Sequence, residues 1–328
     1  MNSTTYDVFG LGNPLIDIIL HVDDDFMTDL QLTKGSMNLV DTERQKAILA
    51  KAANYPVTTT LGGSCANTMV MTAQLGGKTA YGGKLGIDDL GEDYEKQLVG
   101  NGVISYLAKQ EGMTGSTIIL VNPDAERTMN TNLGMCQSFA KEDISREGIQ
   151  SARYLYVEGY LWDTPVQQEA VIAALEYAKS GTTKIALTLS DSFCVERHKK
   201  EFQRLMDDYV DILFCNDQEA SFMTGENDPV KQIDQISKSV DHVVLTLGKK
   251  GSMIKWKDNV VNIDAFKATA VDTTGAGDSF AAGYLYGITQ GYDSFKSGTL
   301  ASYCAATIVG QNGPRYDGNF REKVSAYL

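Results

Sequence analysis

Short apolar segments alternate with longer amphipathic segments along this chain, and the alternation predicts an α/β fold built on a largely parallel sheet. The predicted strands of this alternating part are Tyr6–Leu11, Thr79–Gly83, Tyr154–Val157, Ile185–Leu189, Ile212–Cys215 and His242–Leu247. The predicted helices are Asp41–Asn54, Ser64–Leu75, Gly91–Val99, Val166–Ser180, Arg197–Tyr209, Pro229–Ser239, Gly277–Gln290 and Ser294–Val309.

Residues 104–133 have a different pattern, because three strand-like pieces follow one another there with no helical segment between them. These pieces are Ile104–Lys109, Ser116–Val121 and Arg127–Thr131. Together with a further strand at Leu15–Val22, they predict a small β-sheet that projects from the main body as a lid, with strands within roughly 15–40 and 104–133. Because no Pro- or Ser-rich linker interrupts the chain, we expect one domain over residues 1–328 with an integral lid.

Composition and charge narrow the class of protein. The chain has 328 residues, enough for a substantial core, and a formal net charge of -13. This acidity argues against nucleic acid and anionic membranes as partners. The first residues lack the basic and apolar regions of a signal peptide, and no apolar run is long enough for a membrane helix. The five cysteines are scattered, which is typical of reduced thiols. We therefore expect a cytoplasmic protein.

The strongest chemical pattern lies in the segment Asp272–Phe280, which leads into a long apolar helix. Gly275, Ala276 and Gly277 stand where a helix N-terminus leaves N–H groups unpaired and favours an anion. Asp278 follows them directly, so a carboxylate lies within an anion pocket. A proton-accepting base beside a phosphoryl group explains this combination. A simple Asp cap with glycines for a tight turn explains the local pattern equally well.

A second set of polar residues suggests a site for a polyol. Asp17 interrupts an otherwise apolar run that begins after Asn13. A buried carboxylate needs hydrogen-bond donors, and the vicinal hydroxyls of a sugar would supply them. Gly62 and Gly63 would allow close backbone approach to a ligand, with Asn67 one turn into the helix that follows. Backbone N–H groups near Asp17 are the alternative donors.

Two further strand ends carry residues suited to a nucleotide. Asn216 and Glu219 follow one strand, where the carboxylate could organise Mg²⁺ and its waters or could form a capping box. Spacing alone leaves both open. Thr246 ends another strand, and the turn from Gly248 to Gly251 is suited to lying along a nucleotide.

Taken together, these motifs resemble the PfkB/ribokinase family of sugar and nucleoside kinases. Asp272–Phe280 resembles its C-terminal signature, and 62–67 together with 85–91 resemble its N-terminal signature. Asn216 to Glu219 matches its Asn-x-x-Glu motif. The resemblance runs from about residue 6 to 315, and within the family it is strongest to the adenosine kinases. The signature differs from theirs at Thr274 and Ser279, where bacterial sugar kinases share the forms seen here.

The resemblance implies a ribokinase-like three-layer α/β/α fold and a role for each candidate. Asp278 would take the proton of the substrate hydroxyl, and the N–H groups of Gly275, Ala276 and Gly277 would hold the transferred phosphoryl group. The substrate would be bound by Asn13, Asp17, Gly62, Gly63, Asn67 and, from the lid, Arg127. The predicted ATP-binding residues are Asn216, Thr246, Gly248 and Gly251, with Glu219 acting on Mg²⁺ through water. A monovalent cation such as K⁺ near Asp272 is a further expectation.

The resemblance therefore predicts ATP-dependent phosphorylation of a nucleoside at its 5′-hydroxyl, with adenosine as the first candidate. A ribokinase- or fructokinase-type sugar kinase is the alternative. A non-catalytic nucleotide-binding regulator with the same fold is the second alternative, which the presence of Asp278 disfavours. The predicted partners are small molecules, and both a monomer and a homodimer remain open.

Overall fold

The structure is a computed structural model that describes residues 5–35, 37–124 and 127–328. In chain order its strands are β1 (Tyr6–Leu11), β2 (Ile16–His21), β3 (Met37–Leu39), β4 (Val57–Leu61), β5 (Thr79–Gly86), β6 (Val103–Gln110), β7 (Ser116–Val121), β8 (Arg127–Asn132), β9 (Ala152–Glu158), β10 (Lys184–Thr188), β11 (Ile212–Asn216), β12 (His242–Thr246), β13 (Ser252–Trp256) and β14 (Asn259–Ile263).

The α-helices of the same residues alternate with the strands over much of the chain, as the pattern predicts. They are α1 (Asp24–Asp29), α2 (Thr42–Lys51), α3 (Ser64–Gln74), α4 (Asp89–Gly100), α5 (Arg146–Gln150), α6 (Pro165–Lys179), α7 (Ser192–Asp208), α8 (Asp217–Thr224), α9 (Pro229–Ile236), α10 (Ala276–Thr289), α11 (Ser294–Val309) and α12 (Phe320–Lys323). None of the described helices has both the length and the apolar content needed to cross a membrane.

A nine-stranded sheet forms the centre of the protein, in the order β14-β13-β12-β11-β10-β9-β1-β5-β6. The seven strands from β12 to β6 run parallel, and β13 pairs antiparallel with both of its neighbours. Successive side chains point to opposite faces, so Val8 and Phe9 of β1 join different apolar clusters. Helices α6 to α9 pack in one cluster, and α3, α4, α10 and α11 pack in the other. The predicted three-layer α/β/α fold is confirmed.

A second, five-stranded sheet has the order β3-β8-β7-β2-β4. It confirms the small sheet that the strand patterns of β2, β7 and β8 predict. One face packs on α1 and α2 through an apolar cluster that includes Leu20, Phe26, Ile48 and Leu120. The other face turns towards the large sheet. We refer to this five-stranded sheet as the lid.

The prediction that Ile104–Lys109 belongs to the lid is wrong. This segment lies within β6, which pairs in parallel with β5 along its whole length and forms one edge of the large sheet. An edge strand is covered on fewer sides than a central strand, and Ile104 is half exposed, so the pattern of β6 looks like that of a small projecting sheet. The lid strand that lies outside the predicted ranges is β4, whose sequence Val57–Leu61 is mostly threonine.

The parallel strands bring their carboxyl ends to one edge of the large sheet, where ligands bind in open α/β folds. Asn13 follows β1, and Glu158, Asn216 and Thr246 are the last residues of β9, β11 and β12. Four polar side chains from distant parts of the sequence therefore meet at this edge, below the lid.

Candidate active site

A cavity of about 360 Å³ lies between the carboxyl edge of the large sheet and the lid. The structure brings ten of the predicted site residues into its wall: Asn13, Asp17, Gly63, Asn67, Asn216, Glu219, Thr246, Gly275, Gly277 and Asp278. The other predicted residues, Gly62, Arg127, Gly248, Gly251 and Ala276, are outside that wall. Residues predicted to bind a polyol and residues predicted to bind a nucleotide thus line the same cavity.

Asp278 lies in the first turn of α10 and is held by two side chains of α3. The Ser64 hydroxyl donates to its Oδ1 at 2.6 Å, and the Asn67 Nδ2 donates to its Oδ2 at 2.8 Å. Burial raises the pKa of Asp278 to about 6, although these two hydrogen bonds and the charge of Arg315 act to lower it. At neutral pH the carboxylate is therefore ionised, fixed in orientation and basic enough to accept a proton.

The turn before Asp278 has the geometry of an anion site. Gly275 is the N-cap of α10 with φ of 75°, and a Cβ at this position would lie 2.7 Å from Pro314, so only glycine fits. The Ala276 N–H donates to the Thr273 carbonyl at 3.2 Å. The N–H groups of Gly277 and Asp278, in the first turn, have no intrahelical acceptors. Free donors and the positive end of the helix dipole therefore face the same cavity.

Asp17 has different surroundings from Asp278. Its side chain is buried, and no described residue donates a hydrogen bond to its carboxylate. The backbone of Gly62 packs against it so closely that a Cβ there would lie 2.3 Å from Oδ1. Burial raises the pKa of Asp17 to about 7, while the charges of Arg315 and Arg127 lower it. The backbone donors considered as an alternative are absent among the described residues, so this carboxylate is an open acceptor in the cavity wall.

The two asparagines are engaged with protein groups. Asn67 uses its Nδ2 on Asp278 and accepts a hydrogen bond at Oδ1 from Arg315 Nε at 2.8 Å. Asn13 accepts at Oδ1 from Gln167 Nε2 at 2.7 Å. The amide of Asn67 therefore fixes the orientation of the Asp278 carboxylate.

At the other end of the cavity, Asn216 and Glu219 form a capping box at the start of α8. The Glu219 N–H donates to Asn216 Oδ1 at 2.8 Å, and Glu219 accepts from the Asn216 N–H at 3.0 Å. Glu219 also faces the cavity, and burial raises its pKa to about 7. The two interpretations of this motif are thus compatible, since one carboxylate both caps the helix and lines the cavity.

Residues 35–319 match the sequence model of the pfkB family carbohydrate kinases. The chain belongs to this family. It is an ATP-dependent kinase.

Individual relatives match over almost the whole chain. Adenosine kinase 2 of Arabidopsis thaliana is 23% identical over 340 residues, which span 96% of this chain and 97% of the relative. The structure of an adenosine kinase from Sinorhizobium meliloti has a TM-score of 0.92 at 34% identity and covers 98% of this chain and 99% of its own. A "probable sugar kinase protein" from Rhizobium etli CFN 42 has a TM-score of 0.93 at 36% identity, covering 99% and 100%.

In this PfkB-family kinase, the lid residue Arg127 contacts the turn before the anion site. Its Nη2 lies 2.5 Å from Asp272 Oδ2. The Asp272 carboxylate also accepts hydrogen bonds from the N–H groups of Thr274 at 2.8 Å and Gly313 at 2.9 Å. The ion pair ties the lid to the body of the kinase.

The sequence prediction missed Glu158, a buried carboxylate in the cavity wall. It accepts hydrogen bonds from the backbone N–H groups of Asn13 at 2.7 Å and Cys65 at 2.9 Å, and burial raises its pKa to about 7. It thereby joins the turn after β1 to the start of α3. A carboxylate at the end of an apolar strand and directly before Gly159 was the available signal.

Arg315 was missed as well, since it lies in an irregular segment after α11 with no motif around it. It donates to Asn67, and its charge reaches both Asp17 and Asp278. No local pattern marks it, because its partners are more than 200 positions away in sequence.

Proposed function

We propose that this kinase phosphorylates the 5′-hydroxyl of a nucleoside, and that adenosine is its substrate. One observation carries the proposal: an ionisable Asp278, oriented by Ser64 and Asn67 at a helix N-terminus, shares a cavity with the open acceptor Asp17. The first carboxylate suits a base and the second suits the hydroxyls of a ribose.

The cavity wall supports a nucleoside over a free sugar. Beyond Asp17 it is lined by the lid side chains Ile119 and Met129, with Leu15 and Leu133 beside them. An apolar wall of this kind suits the flat face of a base, whereas a free sugar needs more polar partners. The 34% identity to an adenosine kinase from Sinorhizobium meliloti, over almost the full length of both chains, favours adenosine.

In the proposed reaction, Asp278 accepts the proton of the substrate hydroxyl as its oxygen forms a bond to the γ-phosphorus of ATP, and ADP leaves. The N–H groups of Gly275 and Gly277 at the start of α10 stabilise the charge on the transferred phosphoryl group, whereas the predicted donor at Ala276 is engaged by the Thr273 carbonyl. Asp17 accepts hydrogen bonds from the ribose hydroxyls. Asn67 acts on Asp278, Gly62 packs against Asp17, and Gly63 lines the cavity wall.

ATP is assigned to the end of the cavity that contains Asn216 and Thr246, with the turn from Gly248 to Gly251 beside it. No three described His, Cys, Asp or Glu residues are grouped to hold a metal. A single cavity-facing Glu219 nevertheless fits Mg²⁺, which proteins commonly bind through one or two carboxylates plus water and substrate phosphates. Such an ion would neutralise charge on the phosphates. Arg127 is proposed to act on the phosphates from the lid, and a monovalent cation near Asp272 stays a prediction.

A sugar kinase is the second candidate, because a probable sugar kinase from Rhizobium etli CFN 42 is 36% identical over almost the whole chain. The cavity also contains the lid hydroxyls of Thr117 and Thr131.

A substrate screen separates the two candidates. The purified protein is incubated with ATP and Mg²⁺ and with adenosine, inosine, guanosine, ribose or fructose, and the products are separated by chromatography. We expect AMP from adenosine, and phosphorylation of free sugars alone would overturn the substrate assignment.

Asp278→Asn should lower kcat by about 1,000-fold or more, since general bases contribute 10² to 10⁴, while adenosine binding measured by calorimetry persists. Asp293→Asn, which alters the N-cap of α11 away from the cavity, is the matched control.

A further inference from the structure

Arg315, in the segment that follows α11, contacts a residue of the cavity wall, Asn67. Its Nε donates to Asn67 Oδ1 at 2.8 Å, and its Nη2 donates more weakly to the Gly62 carbonyl at 3.4 Å. Asn67 in turn donates to Asp278 at 2.8 Å. Two consecutive hydrogen bonds therefore connect the guanidinium to the proposed base, and the first of them leaves the Asn67 amide only one orientation, with Nδ2 towards Asp278.

The segment that carries Arg315 is itself attached to the anion turn. The Gly313 N–H donates to Asp272 Oδ2 at 2.9 Å, and Pro314 packs against the Cα of Gly275. Gln311 Nε2 closes the segment by donating to the Arg315 carbonyl at 2.6 Å. Residues 311–315 thus contact both the turn that begins α10 and the first turns of α3.

The charge of Arg315 acts on both cavity carboxylates, Asp17 and Asp278. The ionisable groups around it are Asp17 of β2, Tyr81 of β5, Tyr94 of α4 and Asp278 of α10. Burial raises the pKa of both tyrosines above its ordinary value, so only the two carboxyl groups can carry charge near pH 7. The guanidinium charge lowers the pKa of Asp278 and of Asp17, against the effect of burial. Arg127 adds a further positive charge near Asp17.

We propose that Arg315 is a positioning residue of this kinase, which orients Asp278 through the amide of Asn67 and holds a positive charge two hydrogen bonds away from that carboxylate. The proposal rests on the assignment of Asp278 as the base. It differs from a purely structural role because it couples one side chain to the protonation of another.

The test compares Arg315→Met, Arg315→Lys and the control Arg321→Met. Arg321 lies in the same part of the chain and donates to the Leu75 carbonyl at the far end of α3 and to the Tyr286 hydroxyl. Its loss therefore measures the effect of deleting a guanidinium that spans two helices without touching the cavity. Folding of each variant is checked by circular dichroism and by its melting temperature.

For Arg315→Met we expect kcat with adenosine at pH 7 to fall by about 10- to 100-fold, the cost of a misplaced catalytic group. The acidic limb of kcat against pH should also move upward by about one unit, because a neighbouring positive charge has been removed. Activity should then recover partly at pH 9. Arg315→Lys keeps the charge but not the fork of two donors, so it should lower kcat while leaving the acidic limb in place.

A second readout does not need turnover. Carboxyl ¹³C signals of labelled aspartate, with Asp278 assigned from Asp278→Asn, should titrate at a higher pH in Arg315→Met and unchanged in Arg321→Met. Folded Arg315 variants with the kcat, the acidic limb and the Asp278 titration of the wild type would overturn the proposal. If Arg315→Met does not fold, wild-type kcat in Arg315→Lys overturns the positioning role. Failure of the proposed function looks different: the wild type phosphorylates nothing, or Asp278→Asn stays active.

Discussion

At the scale of single residues, the cavity contains two carboxylates in different states. Asp278 accepts one hydrogen bond on each oxygen, whereas no described residue donates to Asp17. Burial raises the pKa of both, to about 6 and about 7, so Asp17 is partly protonated at neutral pH before a ligand binds. The pocket therefore holds one oriented carboxylate, the proposed base, and one acceptor that lacks donors.

This contrast predicts that ligand binding expels a proton. Ribose hydroxyls that donate to Asp17 would stabilise its ionised form and lower its pKa, so adenosine binding at pH 7 should release protons. Calorimetry in two buffers with different ionisation enthalpies measures the number released. Asp17→Asn should abolish the release and raise KM for adenosine by about 10- to 100-fold, since hydrogen bonds to a charged group contribute about 1.5–3 kcal/mol.

The control for this experiment is Asp23→Asn, which replaces the N-cap of α1 with another good N-cap residue. It should keep both the proton release and the KM of the wild type. Equal heats in both buffers for the wild type would mean that Asp17 does not receive the hydroxyls.

At the scale of elements, the proposed chemistry depends on where helix α10 begins. Gly275 combines a left-handed backbone with close contact to Pro314, and Gly291, just beyond the other end of α10, has a similar φ of 81° with open space around it. Gly275→Ala must therefore shift the turn, whereas Gly291→Ala meets only the backbone cost of about 1–2 kcal/mol. We expect both variants to melt earlier than the wild type.

Only Gly275→Ala should slow the chemical step, because it displaces the N–H donors from their position at the start of α10. We expect kcat to fall by about 100-fold with little change in adenosine binding. Steady-state kinetics and calorimetry on the two variants measure this difference. Equal kcat in both would show that the N–H groups of this turn do not stabilise the transferred group.

The positions of the helices and strands were predicted better from the sequence than the sheet to which each strand belongs. Periodicity identified every strand from β5 to β12 that lies in the large sheet, and α11 was predicted at its observed bounds. It assigned β6 to the lid because an edge strand and a lid strand are both partly exposed. Helix α7 begins at Ser192, five residues before the predicted start at Arg197, and His198 has non-helical angles within it. Such a kink weakens a regular apolar period.

The candidate site was predictable where a residue stands in a local motif. Asp278 and Asn67 belong to the recognisable first turns of two helices, so we could expect them at one site. The hydrogen bond between Asn67 and Asp278 could not be predicted, because contacts between α3 and α10 depend on how the two helices cross. Glu158 and Arg315 could not be predicted as site residues, because their partners come together only when the chain folds.

At the scale of the whole molecule, the buried carboxyl groups of the cavity make the free energy of unfolding depend on pH. Burial raises the pKa of Asp17, Glu158 and Glu219 to about 7. In the unfolded chain such groups ionise near pH 4. Between these values the folded state binds more protons than the unfolded state, so the free energy of unfolding falls as the pH rises from about 4 to about 7.

His242 opposes this trend in part. Burial lowers the pKa of His242 from its ordinary value of 6.5 to about 4. This group therefore lowers the free energy of unfolding as the pH falls below about 6.5. Because these three carboxyl groups and Asp278, whose pKa burial raises to about 6, oppose one imidazole, we expect the unliganded protein to be less stable at pH 8 than at pH 5.5, by at least about 2 kcal/mol at 1.4 kcal/mol per pKa unit. Urea denaturation at the two pH values measures the difference.

Glu158→Gln should reduce that difference, and Glu147→Gln, which changes an exposed glutamate, should leave it intact. A protein that is equally stable at both pH values would contradict the pKa assignments of the cavity.

The contacts that build the cavity also determine when it can form. Ser64 and Asp278 are 214 positions apart, and Asn67 and Arg315 are 248 apart. Contacts of such separation are among the last to be made, since each must close a long loop. On the ribosome, Asp278 cannot meet Ser64 and Asn67 until residue 278 has emerged, and Asn67 cannot meet Arg315 until residue 315 has emerged. We therefore expect nascent chains to remain inactive while most of the large sheet already exists. Catalytic competence in this protein should therefore report the completion of folding and not its beginning.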